Sequence, residues 1–292
     1  MFEKLLVADD LKIPPLSLVR CIPKKKLGVK EMIICHAINP PENFQIDQEY
    51  LDGIKSRLES RADEVRARGF NCKVEIVRGA PGRAVLELAE QFNANMIIIG
   101  SHHRGGVRGA LIGSVSYGIL HEATRPTFLV RFSPESRNHD EQPSPDSCNS
   151  HILFPTDFSE TAEEAFMLLE RIATVTHAKV TLFHVHDKAR IDPYLRHMLP
   201  EFDREDKARM QLMKEHLEAN GAGKVSVQVS YGVPAQRILA MANSGEFSLI
   251  VMGTQGRGYI PEIFLGSTAN AIARQADLPV LFVPHKRPGK GW

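Results

Sequence analysis

Residues 251–268 read VMGTQGRGYIPEIFLGST. An apolar run ends at Gly253, Gly256 and Gly258 flank Arg257, and Gly266-Ser267-Thr268 opens a segment patterned as a helix. Strand, glycine-rich loop and helix start, in that order, belong to an open α/β sheet, whose ligands sit beyond the carboxyl ends of the strands. Gly253, Gly256 and Gly258 can take positive φ and let backbone N–H groups converge without Cβ atoms in the way. A helix starting near Ser267 would add free N–H groups and the positive end of its dipole. Arg257 brings a cation, and Ser267 and Thr268 bring hydroxyl donors. Asp157, just after an earlier strand, is an acceptor placed for a ribose or a base edge. Taken singly, these glycines also serve as turn or packing residues and Asp157 as a helix cap. Their common position on one sheet edge is what points to a phosphate-bearing ligand.

Nearly the same phrase stands earlier, IIGSHHRGGVRGALIGSV at 98–115. Gly79-Ala-Pro81 recurs as Gly232-Val-Pro234, Gly100 as Gly253, Gly113-Ser114 as Gly266-Ser267, Pro126 as Pro279 and Val130 as Val283, each pair 153 residues apart. Asp10 pairs with Asp157 and His36 with His184 at slightly smaller offsets, as loops of unequal length allow. A period this long predicts duplicated domains, 1–132 and 151–292. Between them, SPESRNHDEQPSPDSCNS (133–150) lacks apolar periodicity and reads as a linker, spanning about 25 Å as a coil.

Within the second half, HILFPT (151–156), KVTLFHV (179–185), KVSVQVS (224–230), FSLIVMG (247–253) and PVLFVP (279–284) read as doubly buried parallel strands. Helical segments separate them, and the first half repeats the order, with Leu51, Ile54, Leu58, Ala62 and Val65 on one helix face. The fold class is α/β with right-handed crossovers. Pro14, Pro15 and Pro23 predict a short or irregular first helix in the first half.

A chain of 292 residues, 43% hydrophobic and 24% charged, has the composition of a globular protein of about two domains. A net charge of +1 gives no basic field for nucleic acid. No signal-peptide core or membrane span is evident, so a cytoplasmic location without membrane contact is expected. Cys21, Cys35, Cys72 and Cys148 form no CxxC or framework spacing and read as reduced thiols.

Gly253-Thr-Gln-Gly256, nine residues, then Gly266-Ser267 is the pattern G-x2-G-x9-G-[S/T], and the chain resembles the universal stress protein family twice over. ILFPTDFSE (152–160), LFHV (182–185), YGVP (231–234) and PVLFVP (279–284) stand in the family's order. The resemblance implies two tandem Rossmann-like domains, each a five-stranded parallel sheet of order 3-2-1-4-5 with four helices. It implies ATP or another adenine nucleotide as ligand, with Mg²⁺ possible on the phosphates. Asp157 would contact the ribose, Val185, Met252 and Gly253 would border the nucleoside, and Gly256, Arg257, Gly258, Gly266, Ser267 and Thr268 would hold the phosphates. The corresponding first-half residues are Asp10, Gly100, Arg104, Gly105, Gly113 and Ser114, but His103 stands where the family has its second glycine. A weak or empty first site is therefore expected. Family domains pair through their fifth strands, which would bring Val130 and Val283 to a shared interface. Two such chains, each with its domains paired, are expected to associate further as a homodimer, and an unidentified regulatory protein partner is expected.

Enzymatic rivals lack their signatures. Ser101-His102-His103-Arg104 is not the His-x-Gly-His of nucleotidyltransferases, FPTDFSE lacks a pyrophosphatase Ser-Gly-Gly-x-Asp-Ser loop, and no P-loop occurs. No catalytic residues are assigned; slow ATP hydrolysis, autophosphorylation and a nucleotide-independent interaction module are the alternative readings. His102, His103, His121 and His139 prompt a metal site, but no Cys or carboxylate stands at ligand spacing, and none is assigned. His36 and His184 read as satisfied buried histidines, and Lys24-Lys25-Lys26 as a solvated charge run.

Overall fold

A computed structural model describes residues 2–19, 22, 27–40, 46–102, 112–132, 150–192, 194–257 and 265–286. The first half runs β1 (Lys4–Ala8), α1 (Pro15–Val19), β2 (Glu31–Ile38), α2 (Gln48–Ala67), β3 (Asn71–Arg78), α3 (Pro81–Gln91), β4 (Met96–His102), α4 (Ser114–Glu122) and β5 (Thr127–Phe132). The second runs β6 (His151–Thr156), α5 (Glu160–Thr176), β7 (Lys179–Asp187), α6 (Lys188–Ile191), a 3₁₀ turn (Arg196–Met198), α7 (Leu199–Ala219), β8 (Val225–Gly232), α8 (Pro234–Ala242), β9 (Leu249–Gly253), α9 (Ser267–Gln275) and β10 (Val280–Val283). The second half thus adds α6 and the 3₁₀ turn to the four helices expected.

Strand side chains alternate between two cores, one on each face of the sheet. Leu5, Val7, Met32 and Ile34 enter one; Leu6, Ile33 and Cys35 enter the other, all of them fully buried. The second half repeats this with Ile152 and Phe154 against Leu153 and Phe183. Each such side chain contributes about 1.5–3 kcal/mol, and continuous apolar strands covered on both faces by helices favour parallel pairing.

The strands form one ten-stranded sheet in the order β3-β2-β1-β4-β5-β10-β9-β6-β7-β8. Each half carries the expected 3-2-1-4-5 order, and all pairs are parallel except β5 with β10. There Phe128 faces Leu281 and Leu129 faces Val280, so the two apolar fifth strands cover one another's edges. Val130 and Val283 are buried beside this seam. Arg131 crosses it: Nη1 donates to Ser101 Oγ at 2.9 Å, and Nη2 donates to the Ala273 carbonyl in the last turn of α9.

The two first helices differ as their sequences predict. α1 has five residues and follows Pro14, whereas α5 has 17. Ser159 caps α5, its side chain accepting from Ala162 N, and Glu160 and Glu163 complement the dipole. Lys12 holds the corresponding first-half position.

Cys35 and Cys72 are free and buried in β2 and β3, and desolvation pushes their thiols up to about 12 and about 11. Cys21, Cys148, Lys24-Lys25-Lys26, His139 and all of the linker except Ser150 lie outside the described residues. Among the described residues, no helix is long and apolar enough to cross a membrane.

Candidate functional site

Thr156 ends β6, and the chain turns through Phe158 at φ 60° before α5 begins. Leu11 holds φ 60° at the matching turn of the first half. Left-handed backbone is uncommon for bulky residues, and here it recurs at the carboxyl end of the first strand in both halves. It aims Asp157 across the sheet edge at the loop after β9. Asp157 Oδ2 accepts from Arg257 N at 2.9 Å, and its carbonyl accepts from Arg257 Nε at 2.5 Å. Oδ1 accepts from Ser159 N at 3.1 Å and Ser159 Oγ at 2.6 Å. Asp157 is therefore a brace between two loops, and the helix cap is Ser159.

The glycines of the loop serve close approach rather than left-handed backbone. Positive φ among the described glycines is confined to Gly28, Gly69, Gly79, Gly221, Gly232 and Gly245, so Gly253 and Gly256 do not use the left-handed freedom open to them. A Cβ on Gly256 would stand 2.5 Å from Asp157 Oδ2, and one on Gly253 would stand 3.0 Å from the Thr161 carbonyl of α5. Gly266 closes the loop from the other side, its N–H donating to Thr254 O at 2.7 Å. Gly258 lies outside the described residues.

α9 begins with Gly266 as its N-cap, without a side-chain cap bond and with no acidic residue in its first turn. Its first N–H groups are thus left for a ligand or solvent, an arrangement that favours an anion. Asp157, Val185, Met252, Gly253, Gly256, Arg257, Gly266, Ser267 and Thr268 all line one cavity of about 620 Å³, within the range of small-molecule sites. The same cavity is lined by His184, His186, Arg190, Glu205 and Asp206, which sequence reasoning did not assign. His-x-His at 184–186 was a readable signal, since alternate residues of a strand share a face. Nothing in the sequence ties Asp206, some twenty residues on, to that face.

His184 is buried and hydrogen-bonded, as expected, and it also lines the cavity. Its Nδ1 donates to Thr156 O at 2.7 Å, but Nε2 faces Asp206 Oδ2 at 3.3 Å. Burial favours the neutral imidazole and lowers its pKa. His36, its first-half counterpart, makes the same Nδ1 contact, to Asp9 O at 2.7 Å.

The first half builds its strand exit differently. Asp9 is buried and paired with Arg61, Oδ2 accepting from Nε at 2.8 Å and Oδ1 from Nη2 at 2.9 Å; desolvation still raises the Asp9 pKa. Asp10 is exposed and accepts from Lys12 N and Ile13 N on its own turn. Asp10, Gly100, Gly113 and Ser114 line a second cavity, walled mainly by Leu18, Val85, Ile99, Ile112 and Ile119. His103, Arg104 and Gly105 lie outside the described residues, as does the side chain of His102.

The sequence profile described as the Universal stress protein family matches residues 1–131 and 149–284. A universal stress protein of Methanocaldococcus jannaschii is 32% identical over 154 residues, covering 46% of this chain and 94% of the relative. One of Mycolicibacterium smegmatis is 26% identical over 220 residues, covering 74% and 69%. A universal stress protein crystal structure from Archaeoglobus fulgidus superposes with a TM-score of 0.72 at 24% identity, covering 97% of this chain and 98% of that one. That likeness extends across both halves of the fold.

Proposed function

The chain belongs to the universal stress protein family, and from that premise we propose that its second half binds an adenine nucleotide as a regulatory ligand. The observation that carries this reading is the convergence of three features on one cavity: the uncapped start of α9, the Gly256-Arg257 backbone, and the Asp157 carboxylate. Phosphates fit the first, since three N–H groups and the hydroxyls of Ser267 and Thr268 would face them at a helix N-terminus. A ribose hydroxyl fits the last, because Asp157 accepts only and has lone pairs to spare. Val185 and Met252, buried at the cavity wall, give a planar base apolar contact. Gly258 would join the phosphate set. A Mg²⁺ ion would accompany the phosphates as a counter-charge.

The first half offers a second, weaker site. Its Asp10 faces solvent and its cavity is largely apolar. The protein would act by changing a partner's access according to nucleotide occupancy, as a cytoplasmic homodimer and without dedicated catalysis. The test is mass spectrometry of small molecules released from purified, denatured protein, followed by calorimetry with ATP, ADP and AMP. An adenine nucleotide bound at one tight site per chain is the expected result. Absence of any saturable adenine-nucleotide binding overturns the reading.

A further inference from the structure

β7 carries His184 and His186 two residues apart, so both imidazoles leave the same face of the strand. Both are buried, 5% and 6% exposed, and α7 lays Asp206 over them. Asp206 Oδ2 stands 3.3 Å from His184 Nε2 and 3.5 Å from His186 Nδ1. One donor atom from each of the three residues falls within 4.8 Å of the others.

Hydrogen bonding among these groups does not close. The Thr156 carbonyl can only accept, so the 2.7 Å contact puts a hydrogen on His184 Nδ1. Its Nε2 is then the atom turned toward the Asp206 carboxylate, 3.3 Å away. The mismatch is at His186: its Nε2 is buried with no hydrogen-bond partner, the Asp203 Oδ1 carboxylate oxygen being 4.0 Å away. An ion shared by the three residues would occupy the space between His184 Nε2, His186 Nδ1 and Asp206 Oδ2. With Nδ1 on the ion, the hydrogen of His186 is fixed on Nε2, on the side where the Asp203 carboxylate lies 4.0 Å away.

We propose that His184 Nε2, His186 Nδ1 and the Asp206 carboxylate form a site for a zinc-type divalent transition metal. Two ligand atoms about 2.0–2.2 Å from one tetrahedral ion lie about 3.3–3.6 Å apart, which matches the two separations from Asp206 Oδ2, and the two imidazole nitrogens lie within 4.8 Å of one another. Thr156 O orients His184 from behind, the outer-shell role that fixes a ligand's tautomer. Two histidines and one carboxylate leave a fourth position, and all three residues line the cavity, so that position opens toward it. The fold itself does not demand the cluster. His36 repeats the His184 contact in the first half, yet the residue two positions on is Ile38. This site does not depend on the nucleotide reading, because every donor is a protein side chain.

The experiment uses the full chain stripped of nucleotide and metal, loaded with Zn²⁺, dialysed and assayed for metal, with Co²⁺ as the spectroscopic probe. Expected are one zinc per chain, intense visible absorption from low-coordinate cobalt, and a zinc-dependent rise in melting temperature. Asp206→Asn and His186→Gln, each shown to fold by its melting transition, should weaken zinc binding by at least about tenfold. Substoichiometric zinc in the unsubstituted chain overturns the proposal, as does the pale spectrum of six-coordinate cobalt. Unchanged affinity in either folded variant places the metal elsewhere and overturns it equally. The two wild-type measurements decide the matter even if a variant does not fold.

Discussion

A Cβ on Gly256 would stand 2.5 Å from the Oδ2 of Asp157, the same oxygen that accepts from Arg257 N at 2.9 Å. The glycine and the aspartate are thus one device: the loop after β9 is held against the exit of β6 because no side chain separates them. Gly256→Ala should lower the melting temperature by several degrees, about 1–2 kcal/mol of strain in a two-domain chain of this size. Combining it with Asp157→Ala should recover part of that loss, because the clash goes with the carboxylate. Nucleotide affinity should fall in both and not recover in the double variant. Thermal melts and calorimetry on the four proteins check this; additive melting shifts would contradict the coupling.

The two halves should bind unequally. Calorimetry is expected to give one tight nucleotide per chain, assigned to the second half by loss in Asp157→Ala and retention in Asp10→Ala. His103→Gly restores the family pattern in the first half and should raise the stoichiometry toward two. Two equivalent sites in the unsubstituted chain would refute the assignment.

Arg61→Met should destabilise the first half strongly. The Asp9 side chain is fully buried, and removing Arg61 leaves a carboxylate with no counter-charge. Breaking such a pair costs about 3–5 kcal/mol, whereas replacing both members with apolar groups costs far less. The Asp9→Leu/Arg61→Met double variant should therefore unfold at higher denaturant than Arg61→Met alone. Because desolvation raises the Asp9 pKa, its contribution runs opposite to the usual carboxylate: stability is greatest below the unfolded pKa and falls as pH rises through the folded one. Arg61→Met should be rescued partly at acid pH, where Asp9 is protonated, and urea titrations at two pH values test this.

Arg131→Met should loosen the seam between the halves. Burial lowers the guanidinium pKa to about 10, still charged at neutral pH, and Nη2 satisfies a carbonyl at the negative end of α9. Losing that bond should cost about 1–3 kcal/mol. A single unfolding transition that splits into two would show that Arg131 couples the halves; an unchanged transition would assign the coupling to the apolar β5–β10 contact alone.

Cys35 and Cys72 should not react with a thiol reagent at pH 8 until the chain unfolds, because burial keeps both thiols protonated well above that pH. Reaction of either at the rate of a free thiol would contradict it.

What the sequence determined by itself was the repeated α/β plan: local periodicity, turn residues and the glycine spacing are properties of short stretches. Apolar strands five or six residues long announced a sheet covered on both faces, and Pro14-Pro15 announced the five-residue α1. The fifth-strand pairing was implied by the family resemblance, and the apolar edges of β5 and β10 do cover one another. Only the tertiary structure decided contacts between distant segments. It showed that Gly253 and Gly256 are needed because Thr161 and Asp157 come within about 3 Å or less of where their side chains would be, not because the backbone turns left. It paired Asp9 with Arg61 across 52 residues, and it brought Asp206 of α7 over His184 and His186 of β7. Such juxtapositions are set by how helices settle on a twisted sheet. Side-chain spacing along the chain carries no trace of them, which is why the sequence reads His184 as a buried histidine and says nothing of the Asp206 carboxylate that faces it.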